Sequence, residues 1–278
     1  MADGAYRWQG HAPAPDAARV AAIDAAWDEA GAHAFAEPAR AAAVDRIEAA
    51  LAAARAGDLA EAAARLADAR SVLLGLDPAA LEPRRGLAGL FDSRGRRLKS
   101  FREGFRRAAE ALSGAATDLA GRVEAAAARS SALDAVWAGV RDAMVELDAH
   151  LLAAAGRFSG HADPEAPHPL EARKASLDAC RAAALGALPL IRGAQNLDAR
   201  AAAALKACGD GVADWRQGWS EALGLAGKRP KKVRPDRDRL VALRDALLGR
   251  IDRALAELTA SGPRRAQETR LAELRASL

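Results

Sequence analysis

Aromatic residues make up only 4% of the 278-residue chain: five tryptophans, five phenylalanines and one tyrosine. A core built from it must be filled mostly by small and aliphatic side chains, which points away from a pocket-rich enzyme. Strand-favouring residues are also scarce. Three threonines and four isoleucines stand against 78 alanines, so the composition excludes a β-rich fold and predicts an all-α one. Cysteine occurs only as Cys180 and Cys208, too few for a disulfide framework. A reducing, cytoplasmic setting is the default for such a chain. Long apolar runs are missing too: the best, Ala182 to Ile191, has about ten residues where a bilayer crossing needs about 20. The start, Met1 to Trp8, lacks the basic-then-apolar pattern of a secretory signal, so the mature chain is expected to begin there.

Charge is present in both signs but is segregated. The net charge is +4, yet residues 84 to 107 hold nine Arg or Lys against two acids, and residues 228 to 239 hold seven against two. The first 83 residues carry seven basic and thirteen acidic side chains and are net acidic. A duplex-binding protein adds a reading helix or an aromatic stacking platform to its basic patch, and neither arrangement is present, so nucleic acid is not the partner expected. The excess of Arg over Lys beside so much Ala also fits a GC-rich genome and is not by itself phosphate recognition.

Periodicity divides the chain. Residues 1 to 15 read as a flexible arm with Gly4, Gly10, Pro13 and Pro15. Residues 16 to 83 read as an acidic region of short helices, the first capped by Asp16, the second opening at Pro38, the third capped by Asp58 with Glu61 completing a capping box. From about Ser93, Leu98, Phe101, Phe105, Ala108, Leu112, Ala115 and Leu119 recur at threes and fours. The alternation continues through a stutter at Val123 to Leu151. Unbroken, this helix has about 60 residues and a length of roughly 90 Å, and needs a partner along most of it. Gly156 to Pro169 reverses the chain. The stripe from Leu170 through Leu188 and Trp215 to Ala226 supplies the partner, with a kink expected at Pro189. A helix carrying Leu240 to Leu258 and a short one opened by Pro263 complete the chain. The architecture predicted is an elongated antiparallel long-helix hairpin or coiled-coil bundle over residues 84 to 278, with a small N-terminal helical region.

Several pieces of this text occur together in one known family. They are Gly89-Leu90-Phe91, the run Arg96-Arg97-Leu98-Lys99 with Phe101, Leu170-Glu171-Ala172-Arg173 with Leu177, Leu190-Ile191-Arg192 with Gln195-Asn196, and Asp214-Trp215 with Trp219 and Ala222-Leu223. In order and spacing, residues 84 to 260 resemble the toxic anion resistance family, the TelA-type tellurite resistance proteins. The resemblance implies an all-helical cytoplasmic bacterial protein associated with resistance to tellurite and to agents that attack the cell envelope. It implies no catalytic residue and no cofactor.

The candidate site is the basic strip around Arg94, Arg96, Arg97 and Lys99. Its composition suits the surface of an acidic membrane, an acidic protein or a small anion, since guanidinium forks bind oxyanions. The plain alternative is a solvated basic face over bundle core, part of it docked on the acidic N-terminal helices. Cys180 and Cys208 both fall on the apolar stripe, about 42 Å apart along a straight helix, and read as small hydrophobes. His161, Asp163 and His168 share a proline-rich turn that reads as a hydrated loop, so no metal ligand is assigned. Gln195 and Asn196 are expected to satisfy backbone groups freed by Pro189 or to fix helix register, and Trp215 and Trp219 to lie in the core. The function expected is non-enzymatic: a scaffold or adaptor in resistance to toxic anions or envelope stress, acting through an unknown protein partner, with oligomerisation open. Two alternatives stand beside it, a peripheral membrane protein using the basic strip and an oxyanion-binding or redox protein.

Overall fold

Alanine-rich segments between proline and glycine stops become helices throughout the computed structural model, which describes residues 13–28, 30–82, 93–158, 169–227 and 233–278. Most of the expected N-terminal arm, the tripeptide Gly89-Leu90-Phe91, the turn with His161, Asp163 and His168, and the basic residues 228–232 lie outside these. No strand occurs among the described residues, and the fold is all-α.

The helix starts follow local chemistry. Asp16 accepts a hydrogen bond from the Ala18 N–H at 2.9 Å and opens α1 (Ala17–Ala25). Pro38 sits in the first turn of α2 (Glu37–Ala53), where its missing N–H costs nothing. Asp58 accepts from the Ala60 N–H at 2.9 Å ahead of α3 (Ala60–Leu74), while Glu61 reaches Arg122 at 2.8 Å across the bundle. Ser93 precedes α4 (Arg94–Phe158), a helix of 65 residues. Helix α5 (Pro169–Ala222) runs 54 residues without interruption through Pro189. Asp236 caps α6 (Arg237–Thr259), and α7 (Ser261–Ala276) carries Pro263 in its first turn.

The helices assemble into two compact units. One contains residues Met1–Ala56, Arg129–Leu197 and Gly262–Leu278; the other contains Gly57–Ala128 and Asp198–Ser261. The chain of α4 and that of α5 each contribute to both. In the second unit, α3, the first half of α4, the second half of α5 and α6 form a four-helix bundle with every neighbour antiparallel. Glu61 meets Arg122, Arg102 meets the end of α5 at Leu223, and Arg200 meets Glu257. Its core holds Phe101, Phe105, Trp215 and Trp219, with Trp215 and Trp219 buried and ring centroids 5.2–5.8 Å apart. In the first unit, α2, the second half of α4, the first half of α5 and α7 enclose Ile47, Leu147, Leu177 and Ile191. Arg181 and the fully buried Asp148 pair across α4 and α5 there.

With so few large side chains, glycines of α5 leave hollows that long side chains of α6 and α7 enter. A methyl group on Gly211 would lie 2.7 Å from Arg250 Cδ of α6, and one on Gly218 would lie 2.6 Å from Leu243 Cδ1. In the first unit, Gly193 stands 2.7 Å by the same measure from Gln267 Oε1 of α7. Gly209, two residues from Gly211 on the same helix, faces open space. The same substitution therefore has opposite signs at the two positions. Gly209→Ala is expected to stabilise the protein by about 0.5–1 kcal/mol through helix propensity. Gly211→Ala is expected to cost about 1–3 kcal/mol by overpacking. Denaturant midpoints of the two variants measure both signs.

Candidate interaction surface

Helix α4 begins with cations where its dipole is already positive. Ser93 Oγ accepts from the Arg96 N–H at 3.2 Å, and the first turn contains no acidic residue. A first turn holding Arg94, Arg96 and Arg97 opposes the macrodipole, so the sequence sacrifices helix stability at this point. Arg94, Arg96 and Lys99 are exposed and take no ion pair among the described residues; Arg97 is half-buried. On the opposite side of the same turns, Phe101 and Phe105 are buried and Leu98 packs on the core. The strip expected from sequence is thus a basic face over bundle core. Arg102 leaves that face: its Nε and Nη2 donate to the Leu223 carbonyl at 2.8 and 2.5 Å, closing the C-terminal end of α5.

The second basic stretch comes to the same end of this bundle. Trp219 stacks on Phe101 of α4 at 5.7 Å and donates through Nε1 to the Leu240 carbonyl of α6 at 3.0 Å. Residues 101 and 240 therefore share one level, and the turns that precede each emerge together. Arg234 is exposed there, whereas Arg237 pairs with Glu82 and Arg239 with Glu221 at 2.9 Å. Next to this end, Phe105, Arg106, Ala109, Ser113, Arg216 and Leu225 line an open groove of about 470 Å³ between α4 and α5.

Most other conspicuous polar residues are structural. Around the start of α2, Arg173 donates to the Phe35 carbonyl at 3.1 and 3.0 Å and to Glu37 at 2.5 Å. Between them Ala36 adopts a left-handed conformation, φ 57°, which an alanine tolerates only when its surroundings hold it. At the other end of α2, Arg129 donates to the Ala53 carbonyl at 3.1 Å and to the Arg55 carbonyl. The buried Gln267 donates to the Leu190 carbonyl at 2.7 Å and to the Ala54 carbonyl at 3.4 Å. Gln195 links α5 to α4 through the Ser130 carbonyl at 2.9 Å and Asp134 at 3.0 Å, the register-fixing role among those expected for it. Arg129, Arg173 and Gln267 were not anticipated as clamps. Arg173 carried no warning beyond its place in a short motif, and Gln267 only its position on the apolar side of α7.

The thiols are shielded and lie in different units. Cys180 faces the Arg40 carbonyl at 3.9 Å, and Cys208 donates to the Arg250 carbonyl at 3.4 Å. Burial raises the pKa of both, that of Cys208 to about 11, which suppresses the thiolate that redox chemistry requires. Trp215 and Trp219 lie in the core as the spacing predicts. Of the histidines, His150 is buried with Nδ1 at 2.8 Å from the Glu146 carbonyl, and His33 is exposed. Among the described residues no cluster of three His, Cys, Asp or Glu could hold a metal ion, and no helix is long and apolar enough to cross a membrane. No family model matches the chain, and no curated protein or solved structure matches it either.

The Glu37 clamp supplies a pH test. Hydrogen bonds from Arg40 and then Arg173 hold its carboxyl at about 2, below the ordinary 4.5. A depressed carboxylate contributes stability above its unfolded pKa, and that contribution is lost as pH falls through the folded value. Between pH 4.5 and about 2, wild-type protein should lose stability that Glu37→Gln does not lose. Denaturant midpoints measured against pH for the two proteins check this.

Proposed function

We propose that the protein is a non-enzymatic helical scaffold or adaptor. The observation that carries this reading is where the polar side chains of the long helices go. Arg102, Arg129, Arg173 and Gln195 bind backbone carbonyls of neighbouring helices, holding helix ends and register in place. Groups engaged in this way fix a surface and are not free to move protons or bind a reacting atom. Outward in the bundle of α3 to α6 are a charged helical end and shallow grooves, features suited to recognition. The setting, resistance to tellurite and other toxic anions or to envelope stress, follows from the resemblance of residues 84 to 260 to the toxic anion resistance family. The buried thiols weigh against the oxyanion-reducing alternative.

Deleting the gene in its own host should raise sensitivity to tellurite, and wild-type protein should restore resistance. The Cys180→Ser, Cys208→Ser variant should restore it equally, and both thiols should react with a chromogenic disulfide only after unfolding. Unchanged tellurite sensitivity in the deletion would remove the resistance setting. Failure of a folded double-serine variant would replace the scaffold with a thiol-dependent activity.

A further inference from the structure

Helix α1 stands apart from the packing that holds the rest of its unit. Helix α2 buries Ala43, Ile47, Ala50 and Leu51 in a core shared with Leu147, Leu177 and Ile191, whereas α1 buries Ile23 alone. Ile23 joins a separate small cluster with Ala149 and Ala153 of α4, to which Val20 and Phe35 add. The α4 residues that α1 touches, Glu146, Ala149, Ala153 and Arg157, recur at threes and fours and form one stripe. Nine residues are too few for a helix to persist alone, which takes about 12–15 even in favourable sequences. The first turn of α1 has no acidic residue and the last no basic one, and Asp24 lies near the carbonyl end, where negative charge opposes the macrodipole.

Two ion pairs fasten this helix. Arg19 grips Glu146 through both Nε and Nη2, at 3.2 and 2.5 Å, and Arg157 holds Asp24 at 2.8 Å. All four side chains are between 36% and 53% exposed, so water and salt weaken both pairs. His150, beside Glu146, is engaged elsewhere: its Nδ1 lies 2.8 Å from the Glu146 carbonyl of its own helix, and its ring meets Phe35 at 5.7 Å. Just past α1, Trp27 meets Phe35 edge-on at 5.3 Å and lies under the Arg157 guanidinium at 5.0 Å, a firmer attachment than any at Asp16. We infer that α1 is a salt-sensitive strap, which lifts from Ala149 and Ala153 and pivots at Trp27 while the helices beneath stay folded. Local opening selects segments with little buried apolar surface and exposed polar attachments, and α1 has both properties. Lifting it gives up the burial of one isoleucine and two screened ion pairs; lifting α2 would empty the core. Ionic strength thereby sets how often the Ala149 and Ala153 stripe is uncovered.

Amide hydrogen exchange of the full chain, read by mass spectrometry, tests this. Residues 20–25 should exchange at least about 100-fold faster than residues 47–51 of α2, yet at least about tenfold slower than in an unstructured peptide. Raising salt from about 0.1 M to about 0.5 M should speed residues 20–25 about two- to fivefold and leave residues 47–51 unchanged. Arg19→Gln combined with Asp24→Asn should reproduce that gain at low salt and abolish the response to salt. Ile23→Ser should bring residues 20–25 to within about threefold of the unstructured rate, again without effect on residues 47–51. Its thermal midpoint by circular dichroism should stay within about 2 °C of wild type. Trypsin should cut native protein after Arg19 before it cuts after Arg40 or Arg46 of α2. Equal exchange in the two segments, or an Ile23→Ser variant in which both speed up together, would make α1 part of the cooperative bundle and overturn the inference. Wild-type residues 20–25 exchanging at the unstructured rate would overturn it too, since no closed strap would exist. A salt response that survives in the double variant would overturn the role of the two ion pairs as the latch.

Discussion

The scarcity of large side chains is the constraint from which the rest of this structure follows. Alanine leaves little side chain between helices, so the gap must be filled by rare large residues or by long side chains reaching over glycine. Both solutions are used. Arg250 and Leu243 of α6 reach over Gly211 and Gly218, Gln267 of α7 reaches over Gly193, and the four rings of Phe101, Phe105, Trp215 and Trp219 fill one wide space in the bundle. The last carbonyls of α2 and α5 have no partner within their own helices and take donors from elsewhere in the protein. Long side chains from other helices provide them: Arg129 and Gln267 at α2, Arg102 at α5. A substitution that widened one contact would also displace such a donor, which couples packing to capping.

Periodicity and punctuation carried most of the fold. The all-α class, the two long helices and the helix starts at Asp16, Pro38, Asp58 and Ser93 were legible because caps and apolar spacing are local properties. The division of the N-terminal helices was not. Helices α1 and α2 join one unit and α3 the other, a choice made by contacts distant in sequence. Glycines seven apart inside α5, Gly186 with Gly193 and Gly211 with Gly218, were the unread signal. A glycine in a helix interior reduces stability unless something needs the space, and repetition at heptad spacing indicates a neighbouring helix along that stripe.

The candidate surface was half legible. The basic strip of α4 was visible as composition, and its apolar underside as spacing. Its meeting with the stretch around Arg234 required the bundle's topology, which sets the amino ends of α4 and α6 side by side through Trp219. Arg102 shows the reverse error that composition invites. It counts toward the basic total, yet its guanidinium is committed to the Leu223 carbonyl. Charge in a helical protein becomes a surface property only after these internal engagements are subtracted.

The interleaving of the two units bears on how the chain is made. One bundle needs residues up to Ser261, and the other needs Gly262–Leu278 as well as its opening residues. A ribosome reading from the amino end has therefore produced all of α1 to α5 before either bundle can close. Amphipathic helices then wait with their apolar stripes uncovered, and the nascent protein depends on holding factors, or on speed, until its last two helices emerge.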